Sequence, residues 1–244
     1  MAKIAGYPTV TDADLYASFT TVPSGLSLGM RVPGQNGKEF ALVLAGGSAL
    51  VVGNLLQSAA NDTQFDDMAV PAAVAVGESS VTITNGTTAV TANQFNGGSL
   101  LVSVTPGLGE EYTIVGHGTA TNGSAWVLQL DRPLRTAWTT STKVSVRRSP
   151  YSGVIQFPAT TQTGIPVGVA IYAIPAAEYG FVQVKGECSV LSDGSTFAVG
   201  SHVGTPSGTA GCITVGAAGT AKTIVGNARR AAATGKCIQV MLQL

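Results

Sequence analysis

Residues 37–57 read GKEFALVLAGGSALVVGNLLQ, and this stretch decides the fold class. Two short apolar runs, 40–45 and 49–52, flank a Gly-Gly turn, and another glycine follows the second run. Short apolar runs bounded by turn residues are typical of buried β-strands. The glycines interrupt the apolar stretch well before the ~20 residues that a membrane-spanning helix needs. The stretch therefore predicts a β-hairpin or the corner of a β-barrel.

Similar short runs recur along the whole chain, separated by turns rich in glycine and proline. Their spacing of about 8 to 16 residues is typical of a β-sandwich or barrel, and helical periodicity is nearly absent. We therefore predict a mainly β protein built from β-barrel or β-sandwich modules, with an extended N-terminal arm. The predicted strands are 40–45, 49–52, 81–84, 100–104, 112–115, 126–130, 143–146, 167–173, 181–185, 196–199, 212–215, 223–225 and 237–242.

Turn signals and prolines suggest how the chain is divided. The first thirty residues show no sustained period, which favours an extended arm, and residues 58–71 are polar and predict a connector. Three prolines between residues 147 and 166 predict a linker, because proline is poorly tolerated in central strands. The predicted organisation is an arm over 1–30, an N-terminal and middle β domain over 31–150, a linker over 151–166 and a small C-terminal β-barrel over 167–244.

The composition points to packing and assembly. Charged residues make up 11% of the chain, with 13 bases balancing 13 acids, so no basic excess predicts nucleic-acid binding. A mean hydropathy of +0.31 favours burial of some surface against other chains, and hence an oligomer or a larger assembly. The alternative is one large glycine-rich core whose faces carry hydroxyl groups. Proline and aspartates stand where a signal peptide would be apolar, which predicts synthesis in a cytoplasm and no membrane partner.

Catalytic patterns are weak throughout. The two histidines, His117 and His202, follow glycine or serine in predicted loops and lie near no nucleophile elbow. Adjacent acid pairs occur at 66–67 and 110–111, but neighbours on a strand point to opposite faces, whereas glycoside hydrolysis needs two facing carboxylates. We therefore predict that the protein is not an enzyme and that these acids are solvated.

Metal and cofactor patterns are equally weak. Cys188, Cys212 and Cys237 are an odd number of distant cysteines without a CxxC pair, so we predict small buried thiols rather than a disulfide framework or a zinc site. The segment DTQFDD at 62–67 lacks the alternating acids and central glycine of a calcium loop. No cofactor is predicted.

Five residues are candidates for contacts between chains. Tyr7, Tyr16 and Phe19 are aromatic residues of the predicted arm, and they would gain from packing on a neighbouring surface. Arg147 and Arg148 concentrate positive charge, which suits bidentate pairing with acids of a partner, although a solvated strand end explains them equally well. Both possibilities remain open at this stage.

Three segments resemble structural proteins of tailed bacteriophages, in particular the small decoration or cement proteins of the capsid. They are LGMRVPGQNGKEFALVLAGGSALVVGNLLQ at 28–57, EEYTIVGHGTATNGSAWVLQLDRPLRTAWTTSTKVSV at 110–146 and IPAAEYGFVQVKGECSVL at 174–191.

The resemblance implies a non-enzymatic virion protein that binds the outer surface of the capsid. Its implied partners are the major capsid protein and further copies of itself, as a homo-oligomer that is a dimer or a trimer. A tail-fibre or receptor-binding module that recognises host glycan is the alternative, which an exposed cleft with Trp138 and two facing acids would favour. A tail-tube or baseplate protein differs only in its place in the virion.

Overall fold

The computed structural model describes residues 10–216, 222–231 and 236–244. These residues form sixteen strands and three short 3₁₀ helices, which confirms the prediction of a mainly β protein. The chain divides into two compact units: unit 1 comprises residues 1–59 and 150–244, and unit 2 comprises residues 60–149.

The 3₁₀ helices span Asp14–Tyr16, Gln35–Gly37 and Thr63–Phe65. In chain order the strands are β1 (Arg31–Pro33), β2 (Glu39–Ala45), β3 (Leu55–Gln57), β4 (Met68–Ala69), β5 (Ser80–Thr84), β6 (Ser99–Val104), β7 (Glu111–His117), β8 (Ala125–Leu130), β9 (Lys143–Arg147), β10 (Ser152–Gln156), β11 (Pro166–Ala170), β12 (Tyr179–Leu191), β13 (His202–Gly204), β14 (Thr214–Val215), β15 (Ile224–Ala228) and β16 (Cys237–Gln243).

The strand pairings of unit 1 close into a ring. β2 pairs with β10 in parallel, and β10 with β3, β3 with β11, β11 with β12 and β12 with β2 are antiparallel. A ring of five paired strands is a small barrel. It differs from the barrel predicted over 167–244, because β2, β3 and β10 lie before that range. The second half of the long strand β12 leaves the ring and pairs with β16, and the sheet continues through β15 and β13 to β14.

The two faces of β2 explain its unbroken apolar sequence. Ala41, Val43 and Ala45 pack in a cluster to which all five strands of the ring contribute, so this face lines the barrel interior. Phe40 and Leu42 point the other way and join a separate cluster with the N-terminal segment. A strand that is buried on both faces shows no polar alternation.

The N-terminal segment packs on unit 1, and the predicted extended arm is not confirmed. Leu15 is buried in the same cluster as Phe40 and Phe181. The backbones of Phe19 and Tyr179 exchange two hydrogen bonds of 2.8 Å, so this segment adds a bridge beside β12. Residues 10–30 fold back because the apolar outer side of β2 and β12 gains from being covered.

Two predicted strands are absent. Leu50 alone in the run 49–52 makes a bridge, to Ile174, and the residues after it form a turn that ends at Gly53 with φ of 80°. Residues 196–199 contain only a single bridge residue. Hydrophobic character was present at both places, but neither segment has a neighbouring strand along its length.

The division into units differs from the predicted boundaries. Residues 151–166 contain β10, which lies between β2 and β3 in the barrel of unit 1. Its neighbouring prolines are compatible with this arrangement, because Pro158 follows the strand and Pro166 is the first residue of β11, where no internal ladder bond is lost. Residues 58–71 are not a simple connector either, since Phe65 and Met68 are buried in the core of unit 2.

Unit 2 is a six-stranded sheet in the order β4-β9-β6-β7-β8-β5. The edge strands β4 and β5 also contact each other, so the sheet curves back on itself. Alternate residues of β8 are buried, as the pattern AWVLQL predicts. The core is rich in aromatic side chains, which include Phe65, Phe95, Tyr112, Trp126 and Trp138.

No helix among the described residues has the length and apolar character that crossing a membrane requires.

Candidate functional site

The predicted contact residues of the N-terminal segment differ in accessibility. Tyr7 lies outside the described residues. Tyr16 is 58% exposed, and its ring centroid lies 6.4 Å from that of Tyr172. Phe19 is half-buried and packs edge-to-face with Phe181 at 6.5 Å. Tyr16 therefore presents the most accessible aromatic surface of this segment, whereas Phe19 packs within unit 1.

Both predicted arginines are engaged within unit 2. The Arg147 guanidinium pairs with the carboxylate of Asp66 and also donates to the carbonyl of Val146 at 3.0 Å. The Arg148 guanidinium lies 5.3 Å from the centroid of the Phe95 ring, a cation–π arrangement. Burial lowers the pKa of Arg148. These contacts place both side chains against their own domain, and contact with a partner stays a prediction.

The acid pair at 110–111 serves local structure. Glu110 accepts hydrogen bonds of 2.6 Å from the hydroxyls of Tyr112 and Thr136. Partial burial raises the pKa of Glu110, but these hydrogen bonds together bring it below the usual value. Glu111 is exposed on the opposite face of β7, as the alternation of a strand predicts.

The acid pair at 66–67 is also tied to neighbours. Asp66 pairs with Arg147, and Asp67 accepts a hydrogen bond of 2.6 Å from the Ser103 hydroxyl. Asp62 caps the 3₁₀ helix Thr63–Phe65 by accepting from the backbone N–H of Gln64 at 3.1 Å. Within the described ranges no group of three or more His, Cys, Asp or Glu side chains could hold a metal ion.

His117 is a buried core residue at the end of β7, not part of a turn. Its Nε2 accepts a hydrogen bond of 2.9 Å from the backbone N–H of Phe95, and its Nδ1 lies 2.8 Å from the carbonyl oxygen of Gly118. Burial lowers the pKa of His117. The inward orientation of His117 could not be predicted from the sequence. A β-bulge between Ile114 and Gly116 shifts the alternation of buried and exposed residues along β7 by one position.

Both tryptophans are buried. Trp126 belongs to the core and packs against the rings of Phe95 and His117. Trp138 is equally enclosed, so its ring offers no open face on which a sugar could stack. A side chain at Gly107 would place its β-carbon 3.0 Å from the Trp138 Nε1, so the neighbouring loop needs glycine there.

The three cysteines do not share one environment. Cys188 and Cys212 are buried as predicted, and burial raises the pKa of Cys188 to about 12. Cys237 is exposed at the start of β16, so the prediction of a buried thiol is wrong there. Its position as the first residue of the strand, where the alternation points it outward, accounts for the difference.

Three apolar side chains on the outer side of unit 2 are accessible, spaced along neighbouring strands. Leu101, Val115 and Val127 are 42%, 54% and 45% exposed, and they occupy the neighbouring strands β6, β7 and β8. Their strand neighbours Leu100 and Ile114 are fully buried, so the outward orientation follows from the alternation of each strand. We call Leu101, Val115 and Val127 the outer apolar face.

Comparisons of this chain with protein-family models, with curated proteins and with solved structures found no match. The resemblance to phage decoration proteins therefore stays a hypothesis based on sequence pattern.

Proposed function

We propose that this chain is a non-enzymatic virion protein that binds the outer surface of a tailed-phage capsid and stabilises it as a decoration protein. The outer apolar face is the observation that carries the proposal. Fully burying an aliphatic side chain of this size contributes about 1.5–3 kcal/mol, and these three are about half exposed, so each would gain about half of that on docking against a partner.

The strands that carry the outer apolar face form a rigid scaffold. β6, β7 and β8 are joined by backbone hydrogen bonds and packed on a continuous aromatic core. Side chains on such a scaffold lose little additional freedom on binding, which favours affinity. The partners we propose are the major capsid protein and further copies of this chain.

The stabilising effect follows from mass action. A protein that binds the assembled shell, but not its separated subunits, shifts the equilibrium toward the shell. Many copies that each add a modest binding energy make the shell harder to open. This mechanism needs neither a catalytic group nor a cofactor.

A capsid-binding assay with matched variants tests the proposal. The triple variant Leu101→Ser, Val115→Ser, Val127→Ser removes the outer apolar face, while Thr113→Ser alters an exposed position between them. We expect the triple variant to bind heads of the parent phage at least about tenfold more weakly, and the control to bind as the native chain does. Equal binding by all three proteins would remove the role assigned to this face.

Cryo-electron microscopy of the parent particle locates the chain directly. Density on the outer surface of the head that fits units 1 and 2 is the expected result. A purified chain that stays monomeric and shows no affinity for heads would overturn the proposal. Density restricted to the tail or fibres would also overturn it, and would make glycan binding the next assay.

A further inference from the structure

The core of unit 2 encloses a side chain that ordinarily gains a proton near pH 6.5. His117 is only 7% exposed, and its ring packs against those of Phe95 and Trp126 with centroid distances of 5.9 Å and 5.1 Å. A charged imidazolium in this aromatic environment would lose most of its hydration. Burial alone therefore opposes protonation.

The hydrogen bonds of the ring fit the neutral form. A neutral imidazole has one donor and one acceptor nitrogen. Because Nε2 accepts from the Phe95 N–H, the proton of neutral His117 belongs on Nδ1, where the Gly118 carbonyl accepts it. Protonation of Nε2 would set two N–H groups against each other at a nitrogen–nitrogen separation of 2.9 Å and leave the Phe95 N–H without its acceptor.

The charges around the ring do not compensate for this loss. The groups next to the ring nitrogens are the backbones of Phe95 and Gly118 and the indole of Trp126, and none is a carboxylate. The Trp126 Nε1 lies 3.2 Å from Nδ1 and cannot donate to it while Nδ1 carries the proton. Asn93, on the turn packed against β7, contributes a neutral amide. Charged side chains lie beyond the Phe95 ring, where Arg148 and Asp62 interact.

The nearest charge from the end of β9 is a cation. Arg148 lies over the Phe95 ring at 5.3 Å, and it would repel an imidazolium on the neighbouring ring. Asp62 interacts with Arg148 and partly offsets its charge, and Arg147 is paired with Asp66. Three features of its surroundings therefore oppose protonation of His117: its burial, the hydrogen bond that Nε2 accepts from the Phe95 N–H, and the positive charge of Arg148 nearby.

We propose that His117 makes unit 2 an acid-sensitive module: uptake of a proton by His117 breaks its bond to Phe95 and opens unit 2, while unit 1 keeps its barrel. The direction of the pH effect on stability follows from the difference between the folded and unfolded pKa of His117. The folded pKa of His117 lies below that of the unfolded chain, so the stability it contributes is present above about pH 6.5 and is lost as the pH falls.

The sequence supplies separate reporters for the two units. Both tryptophans lie in unit 2, and all three cysteines lie in unit 1. Tryptophan fluorescence therefore follows unfolding of unit 2, and the reactivity of the buried thiols Cys188 and Cys212 follows opening of unit 1. The intact chain can be used throughout.

The test compares urea unfolding of the intact chain at pH 7.5 and pH 5.5. We expect the unfolding constant of unit 2 to rise up to about tenfold at pH 5.5 in the native chain and in the control His202→Gln, which alters the exposed histidine of unit 1. In His117→Gln this rise should be absent, because glutamine does not titrate. The urea concentration at which Cys188 and Cys212 become reactive, measured by labelling after transfer to one common pH, should not change between the two pH values.

Two results would overturn the proposal. One is a native chain whose unit 2 unfolds equally at both pH values, and the other is an unchanged rise in His117→Gln. If His117→Gln does not fold, nitrogen NMR of the native imidazole decides instead. A neutral ring with its proton on Nδ1 in folded protein at pH 5.5 is expected, and a ring that is already protonated there in the folded state contradicts the proposal.

Discussion

Gln57 of β3 and Ile155 of β10 are directly paired on neighbouring antiparallel strands, although the whole of unit 2 lies between them in the sequence. Unit 2 therefore leaves and re-enters unit 1 at adjacent strands. Each unit also has its own hydrophobic clusters. This arrangement is typical of an inserted domain.

Replacing residues 60–149 by a short Gly-Ser linker should leave unit 1 folded. The entropy of closing the connection changes only slowly with its length, by about 0.6 kcal/mol for each doubling. Circular dichroism and amide hydrogen exchange of the shortened chain would show a protected β-sheet. A matched control carries Val154→Asp as well, which puts a charge into the barrel interior and should unfold the shortened chain. A shortened chain without cooperative unfolding would contradict independence of unit 1.

Truncating adjacent residues of β8 should change the free energy of unfolding by very different amounts. Leu128 is fully buried in the core of unit 2, so Leu128→Ala is expected to lower the free energy of unfolding by about 2–5 kcal/mol. Val127→Ala, on the outward face of the same strand, should change it by no more than about 0.5 kcal/mol. Urea unfolding followed by tryptophan fluorescence measures both. Similar effects in the two variants would mean that the inward and outward faces of β8 are wrongly assigned.

Gly98 lies where the chain has no room for a β-carbon. An added methyl group would overlap the carbonyl oxygen of Arg147 and lie 2.8 Å from that of Phe95. Because backbone atoms would have to move, Gly98→Ala is expected to destabilise unit 2 by about 1–3 kcal/mol. Gly118→Ala is the control, since its β-carbon would meet nothing within 4 Å. A Gly98→Ala chain as stable as the control would exclude this close approach of the backbones.

The cysteines should differ sharply in reactivity. Cys237 is exposed, whereas Cys188 is buried and its raised pKa keeps it protonated. Titration with a disulfide reagent at pH 8 is expected to label Cys237 rapidly, and Cys188 and Cys212 only after unfolding. The variant Cys237→Ser should show no rapid phase. Rapid labelling that persists in this variant would indicate that unit 1 opens under native conditions.

The local pattern of the sequence predicted most strands of unit 2. Segments such as 81–84 and 126–130 alternate apolar and polar residues, and both are strands with one buried face. β10 was missed because nearby prolines suggested a linker, and its place in the barrel depends on pairing with β2, which lies far away in the sequence. Local patterns carry no information about such pairings.

The candidate contact residues were only partly predictable. An exposed Tyr16 fits the expectation of an accessible aromatic residue. The pairing of Arg147 with Asp66, and the stacking of Arg148 on Phe95, join residues that are distant in the sequence and that no motif connects. The outer apolar face was not predicted, because only the order of β6, β7 and β8 brings its members to one side of the sheet, where the register spaces them along the strands.

The insertion of unit 2 also sets an order for folding during synthesis. Residues 60–149 are contiguous and pair only among themselves in the described sheets, so unit 2 can fold once β9 has left the ribosome. The barrel of unit 1 must wait, because β2 needs both β10 and β12, which are translated later. Until then β2 can pair only with β1, and the nascent chain carries a folded unit 2 while the positions on β2 that bind β10 and β12 stay exposed.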